Sequence, residues 1–97
     1  MYVGVARVEH PEVDEIVPSA HAVKRYRERY PVREAGVDAV GRALIAALEE
    51  ADISGGPPAW AVCDRPAALW AVAGDVAFPL APSDRGGRWV AVTALRR

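Results

Sequence analysis

Leu69–Leu80 reads LWAVAGDVAFPL. Two apolar runs, Leu69–Ala73 and Val76–Leu80, flank Gly74-Asp75, and a two-residue Gly-containing break between strand-like runs is a hairpin signal. Pro79 has no N–H to give to a ladder, so it belongs near a strand end or on an edge. Downstream, Ser83-Asp84-Arg85-Gly86-Gly87 reads as a second turn and Trp89–Leu95 as a last strand. Upstream, Asp64-Arg65-Pro66 is a turn and Ala59–Cys63 a strand with Trp60 and Val62 on one face. Connections this short leave no room for crossovers, so residues 59–96 read as a four-stranded antiparallel meander.

Ser54-Gly55-Gly56-Pro57-Pro58 separates this half from a helical one. The first helix spans Ser19–Tyr30, with Ser19 as N-cap and Pro31 as its stop. The second covers roughly Arg33 to Ala51, with Val37, Val40, Leu44, Ala47, Leu48 and Ala51 as its buried stripe, joined by Gly41. Ahead of them, Tyr2–Val8 is a candidate strand, and Pro11 and Pro18 bracket an acidic connector, His10–Val17. The expected fold is one α+β domain over 1–97: two helices followed by a four-stranded antiparallel sheet, the helices packed on one face and the other face open. The segments are 1–18 (strand and connector), 19–51 (helices) and 59–96 (meander).

The 97 residues suit one small domain, and 52% hydrophobic with 26% charged residues is ordinary for a globular chain. Much of the apolar total is alanine. The core therefore rests on Trp60, Trp70, Trp89, Phe78, Leu44, Leu48, Leu69, Leu80 and Leu95. Cys63 is the single cysteine, so no intrachain disulfide forms, and its apolar surroundings suit a buried thiol. No apolar run approaches the ~18 residues a membrane span needs. The N-terminus lacks the basic-then-apolar order of a signal peptide. The expectation is a cytoplasmic protein with no membrane partner.

The net charge is −1, too low for a general nucleic-acid coat protein. Its distribution is uneven. The run SAHAVKRYRERY, Ser19–Tyr30, carries Lys24, Arg25, Arg27 and Arg29 against Glu28 alone, while the segments on either side are acidic. Arg85, Arg88, Arg96 and Arg97 close the chain. Wound as a helix, Ala22, Val23, Tyr26 and Tyr30 form an apolar side, and His21, Arg25 and Arg29, at i, i+4 and i+8, climb one edge beside it. Such an edge is either the solvated face of an amphipathic helix or part of an anion site for a phosphate backbone. No Walker loop, GxGxxG, HExxH, GxSxG or paired-cysteine pattern is present, and two histidines with one cysteine offer few metal ligands. No cofactor or metal is expected.

The Ser-x-His helix start with arginines on one edge, a second helix, and a hairpin-rich half ending in VAVTAL resemble the DUF4258/BrnT-like small proteins of the RelE-type toxin group. That group belongs to the metal-independent ribonucleases. The resemblance spans roughly residues 19–96. It implies His21, Arg25, Arg29 and Thr93 as the catalytic set, Lys24, Arg25, Arg29 and Arg88 as RNA contacts, and RNA together with an antitoxin or other protein as partners. The chemistry would have His21 move a proton, the arginines hold the phosphate and Thr93 donate to a non-bridging oxygen. Tyr26 or Tyr30 could supply the second acid or base, although both lie on the apolar side. The chain departs from the group in its near-neutral charge, in its first eighteen residues, and in the PPAWAVCD and VAFPLAP segments. The alternative is a non-catalytic nucleic-acid- or protein-binding module on the same fold, for example a phage- or plasmid-borne inhibitor.

Overall fold

The computed structural model describes residues 4–30, 36–62 and 67–97. In chain order the elements are β1 (Ala6–Arg7), β2 (Glu15–Pro18), α1 (Ala20–Glu28), α2 (Val37–Glu50), β3 (Asp52–Ser54), β4 (Leu69–Ala73), β5 (Val76–Pro82), β6 (Arg88–Ala91) and β7 (Leu95–Arg96). The expectations at Tyr2 and Val3, Pro31, Arg33, Cys63 and the Asp64-Arg65-Pro66 turn, and that for the Val37 side chain, lie outside the described residues. Among those residues no helix is long and apolar enough to cross a membrane.

The hairpin at Gly74-Asp75 is present, with Ala73 opposite Val76. Gly74 has φ 60° and Asp75 stays at negative φ, the pattern of a type II′ turn, which matches strand twist. The four-stranded antiparallel sheet is not what forms around it. Among the described residues the sheet has seven strands, ordered β1-β2-β6-β5-β4-β3 with β7 also on β5, and it is mixed, because β2 runs parallel to β6. The RelE-type arrangement implied by the resemblance is therefore not this sheet.

Three local causes account for the difference. First, the acidic connector His10–Val17 contains β2. Val13 and Ile16 within it are fully buried, and that burial outweighs the proline brackets and the charge. The nitrogen of Pro18 costs the β2–β6 ladder nothing: Glu15 N donates to Gly87 O and Ser19 N to Ala91 O, so alternation turns Pro18 N away from β6.

Second, the strand expected at Ala59–Cys63 is absent from its described part. Ala59 and Trp60 lie in a turn in which Ala61 N donates to Pro58 O, and Val62 is 85% exposed. The place beside β4 is taken by β3, directly after α2.

Third, the last strand is broken. Leu80 faces Ala91, but Ala77 faces Leu95, so residues 78–79 oppose residues 92–94 across a bulge. Val92 N donates to Pro79 O at 3.0 Å, which puts the proline nitrogen on the same side, where it has no hydrogen to give.

The helices supply Ala22, Tyr26, Val40, Leu44 and Leu48 to a core shared with Ile16, Ala71, Phe78, Leu80 and Ala91. The opposite face of β4–β5 is not open as expected. Trp70 and Ala77, which alternate with Ala71 and Phe78, are buried too, as is Pro79. Trp60 and Trp89 are half-buried, and the Trp89 indole N–H donates to Glu12 O.

Ser19 joins the two halves. Its hydroxyl accepts from Ala22 N at 3.0 Å, capping α1, and donates to Val92 O at 2.9 Å in the bulge. Removing it leaves one orphan in each half. Ser19→Ala is expected to lower stability by about 1–3 kcal/mol, a lost cap plus a poorly satisfied carbonyl. Leu48→Ala, at a fully buried site, is expected to lower it by about 2–5 kcal/mol. Urea melts measure both, and a loss below about 1 kcal/mol at Leu48 would contradict this packing.

Candidate anion-binding face

Local sequence decides which face α1 presents. Ala22 and Tyr26 are buried, and the helical period then turns His21, Lys24, Arg25, Arg27, Glu28 and Arg29 outward, all of them exposed. Arg29 is the C-cap, where a cation complements the helix dipole. Arg25 pairs with Glu28 at 3.4 Å, an exposed i, i+3 contact of small energetic weight. Among the described residues, His21, Lys24, Arg27 and Arg29 take part in no ion pair.

The proposed catalytic set is only partly brought together. His21 is the second residue of α1, and the Ser19–Val92 bond holds that first turn against the bulge containing Thr93. Thr93 is half-buried, and its hydroxyl has no hydrogen-bond partner among the described residues. Arg25 and Arg29 instead follow His21 along the helix at steps of about 6 Å, four residues at 1.5 Å each. Together they form a row, not a ring around one point.

Arg88 is placed elsewhere. It lies opposite Glu15 in the parallel β2–β6 register, and its Nε donates to the Glu15 carboxylate at 2.7 Å. That hydrogen bond, with the charges of Arg88, Arg85 and Arg7, holds the Glu15 carboxyl below its ordinary range against a smaller opposing effect of burial. Arg88 is thus a strut of the sheet.

The strand arginine that does reach α1 is Arg96, which sequence reasoning left out of the site. Its guanidinium lies 6.0 Å from the Tyr26 ring centre and donates to Asp75 at 3.1 and 3.2 Å. The hairpin aspartate opposite a terminal arginine was the available signal. Tyr26 also packs against Tyr30 and Phe78. Burial pushes its phenol above the usual range, reinforced by Tyr30, so Tyr26 stays protonated at neutral pH and is no base there.

Arg27 was also passed over. With Ala20, Val23, Lys24 and Glu28 it lines an open groove of about 450 Å³ along α1. Its i, i+3 spacing from Lys24 was legible. No cluster of three or more His, Cys, Asp or Glu able to hold a metal occurs among the described residues. Compared with known proteins, the chain matches no family, no curated protein and no solved structure.

The Glu15–Arg88 pair has a pH signature. Because the folded-state pKa of Glu15 is depressed, its contribution is complete above the unfolded value of about 4.3 and is lost as pH falls through the folded value. Arg88→Met is expected to be less stable than wild type at pH 7, with the gap narrowing toward pH 3. Urea melts along that range would show it, and a constant gap would mean that the pair carries no linkage.

Proposed function

We propose that α1 is an RNA-binding face that grips the phosphate backbone, in a cytoplasmic protein that acts without a metal. The observation that carries this is the row His21, Arg25 and Arg29, with Lys24 and Arg27 alongside, exposed on one short helix and opposed there by Glu28 alone. On a near-neutral chain this makes one local electropositive surface, which steers a polyanion to a single side. A row at helical steps suits successive phosphates better than one reacting phosphate. Arginine forks match phosphate oxygens. The reading therefore favours binding over cleavage.

A second reading is metal-independent RNA cleavage of the RelE type, with His21 as acid or base. It is favoured by one contact: the Ser19–Val92 bond keeps Thr93 at the His21 end of α1. A protein partner covering the same helix, such as an antitoxin, is compatible with either reading.

The test is filter binding of a single-stranded RNA over a salt series. Arg25→Gln/Arg29→Gln is expected to weaken binding and to flatten the salt slope by about 1–2 units, two phosphate contacts' worth. An unchanged slope would remove both arginines from the RNA contact. The same RNA incubated in EDTA separates the two readings. Binding alone leaves it intact. Cleavage would show a pH inflection near an imidazole pKa of about 6.5 and fall roughly 10²–10⁴-fold in His21→Ala.

A further inference from the structure

The two outermost strands of the sheet, β1 and β3, line one cleft. They stand at opposite ends of the strand order, yet Arg7, Glu9 and His10 on one side and Glu49, Asp52 and Ile53 on the other enclose about 570 Å³ at the C-terminal end of α2. Helix α2 packs against both β1 and β4, so the sheet wraps around it and its ends return toward each other. The sheet stops short of closing, and the cleft is the seam.

Register shows which backbone groups face that seam. Glu15 N donates to Gly87 in the β6 direction, so Ile16, the next residue, points its N–H and C=O at β1, where it pairs with Ala6. Arg7, one residue further, therefore directs its own away from β2. On the other edge, the hairpin closes with Ala73 bonded to Val76, so Val72 and Trp70 point toward β3, where they pair with Asp52 and Ser54. Ile53, between those two, directs its N–H and C=O away from β4. Arg7 and Ile53 both line the cleft. Neither backbone donates to or accepts from another described loop or turn residue.

The charge of the seam selects an occupant. Among the described residues, Glu9, Glu49 and Asp52 face Arg7 as the one positive charge lining the seam, and none of the four is in an ion pair. The carbonyl end of α2 adds partial negative charge. We infer that the seam between β1 and β3 binds an extended basic segment of a partner protein as an added strand, hydrogen-bonded to Arg7 on one edge and Ile53 on the other. Main-chain bonds to exposed edges are the general means of strand addition, and alternate side chains of the incoming strand supply the choice of partner. Lysine or arginine at alternate positions would meet Glu9, Glu49 and Asp52. The site is separate from the basic face of α1 and does not depend on it.

The probe is a fluorescein-labelled heptapeptide of alternating lysine and valine. Its controls are the glutamate–valine counterpart and a backbone N-methylated copy of the basic peptide. With the full chain, anisotropy is expected to give binding tighter than about 1 mM for the basic peptide only. Glu49→Lys/Asp52→Lys, checked for an unchanged urea melt, should weaken it at least about tenfold, the loss of two facing charges. In amide hydrogen exchange, Arg7 and Ile53 should gain protection on binding. Any of four results would overturn the inference: no binding at 1 mM, equal binding of the acidic peptide, equal binding of the N-methylated peptide, or protection confined to α1. Concentration-dependent self-association that protects Arg7 and Ile53 without peptide would overturn it too, by assigning the seam to a second copy.

Discussion

The hydroxyl of Ser19 is the contact on which the rest of the arrangement turns. It caps α1 through Ala22 N and takes up the carbonyl of Val92 in the bulge of the last strand. Its backbone N–H, donating to Ala91 O, is the last rung of the parallel β2–β6 ladder. One residue therefore ends a strand, starts a helix and satisfies a carbonyl that the bulge opposite Pro79 had left without a regular partner. Buried or half-buried backbone groups must be paired, and here the pairing fixes where α1 leaves the sheet and hence where its basic face points.

The parallel pairing has a wider consequence. With β2 docked on β6, the N-terminal hairpin becomes one end of the sheet and β3 the other. The sheet then bends around α2, and the bend leaves a seam whose two edges are unpaired among the described residues. Both edges are very short, two residues at β1 and three at β3. Short edges limit indiscriminate pairing with other chains. The charges beside the seam do the same, because they repel acidic strands and admit basic ones.

Charge is segregated. The acidic residues near the C-terminal end of α2 oppose its dipole, a placement that costs a few tenths of a kcal/mol each. Four basic residues, Lys24, Arg25, Arg27 and Arg29, gather on α1 and its C-cap. A chain of net charge −1 thus carries one positive and one negative surface at separate places, and its total charge conceals both. Arg88 and Arg96 lie outside both surfaces, each engaged with a carboxylate, Glu15 and Asp75 respectively.

Local chemistry was enough to determine several features. Gly74-Asp75 specified its hairpin, because a positive φ is needed there and glycine supplies it. Ser19 specified a cap, the 3.6-residue period chose the buried side of α1, and Leu44 and Leu48 followed from the same period. Other features required residues far apart in the chain. The β2–β6 pair joins Glu15 to Arg88 and Ile16 to Trp89, and a parallel partner leaves no trace in the spacing of either strand. Asp52–Ser54 is a strand despite low intrinsic preference, since β4 offers it a ladder, whereas the apolar run from Ala59 bends in a turn after Pro57-Pro58. For the candidate site the division is the same. The sequence showed that His21, Arg25 and Arg29 share an edge. Only the tertiary structure could remove Arg88 to a sheet ion pair, bring Arg96 to Tyr26, and place Thr93 beside the first turn of α1, because each of those positions is set by strand register and not by neighbours in the chain.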